Sequence, residues 1–275
     1  MPLNFGVAGK SYEPARMKIT ATQIAEYAAA SGDDNPAHRT GPDQVAPAVF
    51  PVVPAFGVLA RVVMDPELGV DNPLMMVHGA QEFVYHRPIC PDTEVTVHPS
   101  IVAVEDKGKG ATFTTRVDVV DEDGEVLVSE YATAFVRGGG SGAERPRRDQ
   151  PEPVRGARVT EFASHVAADM PVRYAAASGD HNPIHVDEQV ARAVGLPRAI
   201  NHGLGTLSLV AGGLVQRLAG GDVGRLRRLQ ARFTDMVFPG DDVTTTVWES
   251  AHGYGFETRR DDGTTVLRGA VEVGD

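Results

Sequence analysis

The chain has 275 residues and a formal charge of −11, from 37 acidic against 26 basic side chains. That length suits two ordinary domains or one duplicated fold, and the acidic balance argues against a nucleic-acid partner, which needs a basic face. No apolar run reaches the roughly 18 residues of a bilayer span, the opening MPLNFGVAGKSYEP lacks a secretion pattern, and the lone Cys90 permits no internal disulfide, so a cytoplasmic protein with no membrane partner is expected.

In chain order, Thr20 and Gln23 are spaced as a capping box ahead of Ile24, Tyr27 and Ala28, which predicts a short helix ended by Gly32. It runs into YAAASGDDNPAH, residues 27–38. Pro42, Pro47, Pro51 and Pro54 follow and work against helix, and a short apolar helix is expected from about Phe56 to Met64. Residues 80–89, 94–105, 111–120 and 125–136 are rich in Val, Thr, Phe and Tyr and read as strands, the last two joined by the DEDGE turn at 121–125. The Gly-, Pro- and charge-rich stretch 137–158 cannot pack a core. It divides the chain into a first repeat at 1–139, a linker at 140–156 and a second repeat at 157–275.

The second repeat has the same order of elements. Asp169 is placed to cap a helix with Pro171 in its first turn, and Gly179 ends it. YAAASGDHNPIH, residues 174–185, differs from the first motif at only two of twelve positions. Leu204, Leu207, Val210, Ala211, Leu214, Val215 and Leu218 then recur at helical spacing. Strands are expected near 226–238, 242–250, 253–260 and 264–273, with a DDG turn at 261–263. A helix against an antiparallel sheet, twice, is an α+β architecture.

The repeated motif carries residue types suited to proton transfer. Asp180 and His185 are five apart, which a regular helix would separate by about 140°. Pro183 breaks that helix and makes the segment a turn able to aim both side chains at one point. An Asp and a neutral His there suit proton transfer near pH 7, with Asn182 tying the turn together and Gly179 letting the chain leave the helix. A lone Asp-x-Asn-Pro is most often only a turn, and a lone His a structural one; their joint duplication is what singles them out. Downstream, Gly203 in INHGLG would sit at a helix start, its N–H unpaired and in a positive field, as an oxyanion donor needs. Two cationic groups, Arg225, Arg227, Arg228 and Arg232 in one and Lys107 and Lys109 in the other, are candidates for an anionic ligand or simply solvated edges.

GDHNPIH followed by His202-Gly203 resembles the signature of the MaoC-like, (R)-specific enoyl-CoA hydratases (hydratase-2), and the repeat resembles their double hot-dog members. The resemblance extends to ARFTDMVFPGD at 231–241. It implies two curved antiparallel sheets, each wrapped around a long helix. It further implies reversible syn hydration of trans-2-enoyl thioesters, with Asp180 and His185 as catalytic residues and the Gly203 amide as oxyanion donor. Neither metal nor redox cofactor is expected, the substrate carrier being CoA or acyl-carrier protein, and a homodimer is expected. Two alternatives are a hot-dog thioesterase, against which counts the lack of a carboxylate on 204–219, and a non-catalytic acyl-thioester-binding subunit. The first repeat keeps Asp33 and His38 but reads Pro54-Ala55 where the second has His202-Gly203. It is therefore expected to form the acyl pocket, walled by Phe50, Val52, Val53, Phe56 and Leu59, with Asp33 and His38 a possible second or vestigial site.

Overall fold

A computed structural model describes residues 2–73, 76–143 and 155–274. Thr20 caps helix α1 (Ala21–Ser31) with the capping box expected: the Gln23 N–H donates to Thr20 Oγ1 at 3.2 Å and the Thr20 N–H to Gln23 Oε1 at 2.9 Å. Its counterpart is α3 (Met170–Ser178). Both helices end on a left-handed glycine, Gly32 at φ 71° and Gly179 at φ 82°, a conformation that a Cβ disfavours. Asp169 does not cap α3 as expected. Its own backbone is helical, so the side chain cannot fold back, and it pairs with Arg173 one turn on.

Among the described residues, ten strands form one antiparallel sheet. The first repeat supplies β1 (Ala15–Lys18), β2 (Met76–Tyr85), β3 (Glu94–Asp106), β4 (Gly110–Val120) and β5 (Val126–Arg137). The second supplies β6 (Arg158–His165), β7 (Leu226–Phe233), β8 (Asp242–Ser250), β9 (Gly253–Arg260) and β10 (Thr265–Val273). Their order, β1-β3-β4-β5-β2-β7-β10-β9-β8-β6, reads the same from either end once repeats are matched. The seam is β2 against β7, in register from Ala80↔Arg232 to Val84↔Arg228. The eight expected strands are present, with ends moved by a few residues; β7 stops at Phe233, short of the expected 238. The outermost strands β1 and β6 add two that the pattern did not announce. Both hairpin turns form, around Gly124 (φ 84°) and Gly263 (φ 83°).

Inside this sheet lie α2 (Val52–Val63) and α5 (Gly203–Leu218), with the short α4 (Glu188–Ala193) after the second motif. One hydrophobic core joins the repeats through Phe50, Val58, Phe83, Leu207, Leu214 and Phe256. On the approximate two-fold axis the hydroxyls of Tyr27 and Tyr174, equivalent residues of the two motifs, meet at 3.1 Å, and Ser208 Oγ joins Tyr27 at 2.9 Å. This is the expected α+β double hot-dog. Most of the expected linker, residues 144–154, lies outside the described residues, but its flanks are tied to the sheets: Ser141 Oγ donates to Asp106 at 2.6 Å, and Arg155 pairs with Glu257 at 3.2 Å.

Candidate active site

Three elements of the second repeat converge. The turn leaving α3 starts with Asp180, whose Oδ1 accepts the Asn182 N–H at 3.1 Å; Asn182 Oδ1 in turn accepts the Ile184 N–H at 3.3 Å. Pro183 opens a single 3₁₀ turn that delivers His185. The His185 ring is fixed through Nδ1, 3.0 Å from the Ile200 carbonyl. A carbonyl only accepts, so the proton is on Nδ1 and Nε2 is left as an acceptor. Burial lowers the His185 pKa and the Asp180 charge only partly opposes this, so the ring is neutral and basic near pH 7.

His202, the residue before α5, is the site member that sequence reasoning passed over in favour of Gly203. Its Nε2 donates to the Asp180 backbone carbonyl at 3.0 Å, and its ring stacks on His185 at 3.8 Å with 29° between planes. The Tyr174 ring lies 5.0 Å away. Burial first, then the neighbouring His185, pulls its pKa down to about 4. His202 Nδ1 is therefore a buried acceptor with no hydrogen-bond partner among the described residues. One side-chain N or O atom each from Asp180, His185 and His202 lie within 4.8 Å of one another. Carboxylate and imidazole are also metal-ligand types, but a metal needs lone pairs that meet about 2 Å from each nitrogen. The cluster suits a water molecule, which has hydrogens to donate to such acceptors.

Gly203 is the first residue of α5, so its N–H has no partner within the helix. A Cβ there would lie 3.1 Å from the Phe233 ring, so glycine lets the aromatic wall close on the helix start. From the first repeat, His78 stands 4.7 Å from that same ring.

The first motif folds as the second does, in different surroundings. His38 Nδ1 is 2.8 Å from the Val45 carbonyl and Nε2 is 3.2 Å from Asp33 Oδ2, with only 1% and 7% of the two side chains exposed. The Asp33 carboxylate lies against Gly212 of α5, where a Cβ would be 2.9 Å from it. Asn35 Nδ2 donates to the Gly221 carbonyl at 2.7 Å, tying this motif to the second repeat. Ala55 offers no free amide: α2 starts at Val52 rather than near Phe56, and the Ala55 N–H donates to the Pro51 carbonyl at 3.3 Å. Pro51 and Pro54 allow this because a first turn uses no amide donors of its own.

Of the expected acyl-pocket walls, Phe50 and Val52 are sealed in the core at 0% and 2% exposure. Val53, Phe56 and Leu59 are half-buried, and Phe56 reaches Gly179 at the catalytic turn. The arginine group is engaged internally: Arg225 bonds the Gly274 carbonyl, Arg227 those of Gly224 and Leu226, and Arg228 pairs with Glu82. Lys107 pairs with Glu105.

Residues 146–270 match the family described as "MaoC like domain", and residues 6–130 match "FAS1-like, dehydratase domain region". The chain is 34% identical to 3-hydroxyacyl-thioester dehydratase Y of Mycobacterium tuberculosis, over 78% of this chain and 74% of that protein. The chain belongs to the MaoC-like dehydratase family. Within that family it is also 29% identical to the probable enoyl-CoA hydratase 2 of Dictyostelium discoideum, over 82% of this chain and 81% of the other. The crystal structure of a MaoC-like dehydratase from Phytophthora capsici superposes with a TM-score of 0.81 at 25% identity, covering 99% and 98% of the two chains. No helix among the described residues is long and apolar enough to cross a membrane.

Proposed function

We propose that this MaoC-like protein is an (R)-specific enoyl-CoA hydratase, equally a 3-hydroxyacyl-thioester dehydratase, with its working site in the second repeat. The observation that carries this is the convergence of Asp180, His185 and His202, with side-chain N or O atoms within 4.8 Å of one another, beside a helix that opens on Gly203. A water held by Asp180 and His185 adds its oxygen to C3 of the enoyl thioester while the pair takes up one of its protons. A proton is delivered to C2 on the same face, and the C2=C3 π bond is consumed. Charge developing on the thioester oxygen is held by the Gly203 N–H, an interaction worth roughly 3–4 kcal/mol at the transition state. Hydration is redox-neutral, so this reading calls for no redox cofactor.

The acyl group, on CoA or an acyl-carrier protein, leaves the site along Val53, Phe56 and Leu59 of α2. We read the assembly as a homodimer, which sedimentation of the full chain checks. A thioesterase of this fold is disfavoured because α5 carries no carboxylate.

The test is the fall in enoyl absorbance when crotonyl-CoA and longer trans-2-enoyl-CoAs are hydrated. Asp180→Asn and His185→Ala each lower kcat by roughly 10²–10⁴-fold, the usual range for one acid/base group. Absence of turnover at every chain length, on CoA and on carrier protein, overturns the proposal.

A further inference from the structure

Among the first-repeat side chains at the site, His78 has no part in the hydration chemistry. Strand β2 changes register against β5 between His78 and Ala80, a bulge of the kind that re-aims a side chain. The His78 Nε2 is bonded to the Ala80 carbonyl at 3.1 Å and to Gln81 Oε1 at 3.0 Å. Gln81 is itself held, its Nε2 donating to Glu130 Oε1 at 2.9 Å, and both Gln81 and Glu130 are 1% exposed. Two oxygens can only accept, so the His78 proton is on Nε2 and the ring orientation is set from behind. Burial lowers the His78 pKa, with the Asp180 carboxylate close enough to oppose the shift. In front, the ring leans on Phe233 at 4.7 Å, and Phe233 closes on Gly203 at the start of α5.

We propose that His78 is a positioning residue for the oxyanion-holding amide: Glu130, Gln81 and His78 brace Phe233, and Phe233 fixes where the Gly203 N–H points. The first repeat thus serves catalysis through the wall behind that amide rather than through its own Asp–His pair. The inference rests on the hydratase reading. An oxyanion donor must be held to within a few tenths of an ångström of the developing charge, and the helix start alone, with a glycine as first residue, supplies no side chain to hold it.

The experiment uses the full chain carrying Asp180→Asn, which slows turnover by roughly 10²–10⁴-fold, and a 2,4-dienoyl-CoA as probe. Polarisation of the thioester carbonyl by the Gly203 N–H shifts the absorbance of the bound dienoyl group to the red. Adding His78→Ala removes about half of that shift or more, as expected when one oxyanion donor is displaced, while the dissociation constant changes far less. His78→Phe, which keeps a ring against Phe233, restores the shift; a residue needed only for folding would not give this pattern. Should His78→Ala fail to fold, Phe233→Leu probes the same contact and must reduce the shift likewise. A full shift in His78→Ala or Phe233→Leu overturns the brace alone. No bound-state shift in Asp180→Asn, together with no crotonyl-CoA hydration by the unmodified chain, overturns the hydratase reading and the brace with it.

Discussion

His202 shows how much of this site depends on a neutral imidazole. It spans both catalytic residues, bonding the Asp180 backbone and covering the His185 ring. Replacing it with alanine frees that ring, and misplacement by about 1 Å costs on the order of 10²-fold in kcat; steady-state kinetics on crotonyl-CoA checks this. The His185 pKa is depressed below 6.5, so the acid limb of kcat/KM falls below pH 6.5 and moves when Asp180 is neutralised. Glu130 gives a pH effect on stability. Burial pushes its carboxyl up to about 7, from 4.5. The folded protein therefore binds an extra proton between those values, and stability is lost as pH rises through that window. Glu130→Gln removes the loss: relative to the parent it gains roughly 3 kcal/mol on going from pH 4 to pH 8, measured by urea unfolding. At this scale Asp180, His185 and Gly203 could be singled out from the sequence because a motif spacing marks them. His78 could not. It is brought to the site by a strand bulge and a long-range pairing, and neither leaves a local signature.

Among the elements, α5 has an oddity that the motif explains. Two adjacent glycines, Gly212 and Gly213, interrupt it, although each costs a helix about 1 kcal/mol against alanine. Gly212 admits the Asp33 carboxylate and Gly213 the Phe162 ring, which would be 2.3 Å from a Cβ. Gly212→Ala, stabilising in an open helix, should here destabilise by about 1–3 kcal/mol as the Asp33–His38 contact is pushed apart; chemical denaturation reads the sign. Elements with a strong period or a capping box, such as α1, α5 and the inner strands, were legible in the sequence. The edge strands were not: ARMK is too short to show alternation, and RVTEFASH carries too few apolar residues. The start of α2 was obscured by two prolines that read as helix breakers but sit where a helix tolerates them.

Across the whole molecule, the two motifs share a fold and differ in use. The first is closed, its Asp–His pair pressed on α5 and its Asn35 fastened to the loop after that helix. Asn35→Ala should cost about 1 kcal/mol of stability for the lost bond, with kcat for crotonyl-CoA unchanged; Asp33→Asn should likewise spare turnover, where Asp180→Asn lowers it by roughly 10²–10⁴-fold. A first-motif variant that loses turnover at full stability would reverse this assignment of roles. The duplication was plain in the sequence, but the division of labour required knowing what each motif packs against. That depends on residues such as Gly212 and Gly221, which lie far away in the chain.

The α2 start has a consequence for anyone who would rebuild a second active centre in the first repeat. Writing His and Gly at 54 and 55 would copy the letters of the working site without its amide, because position 55 is already the fourth residue of a helix and its N–H is spent on Pro51. A second centre would require the helix to begin later. It is a question of backbone phasing, and side-chain replacement alone cannot supply it.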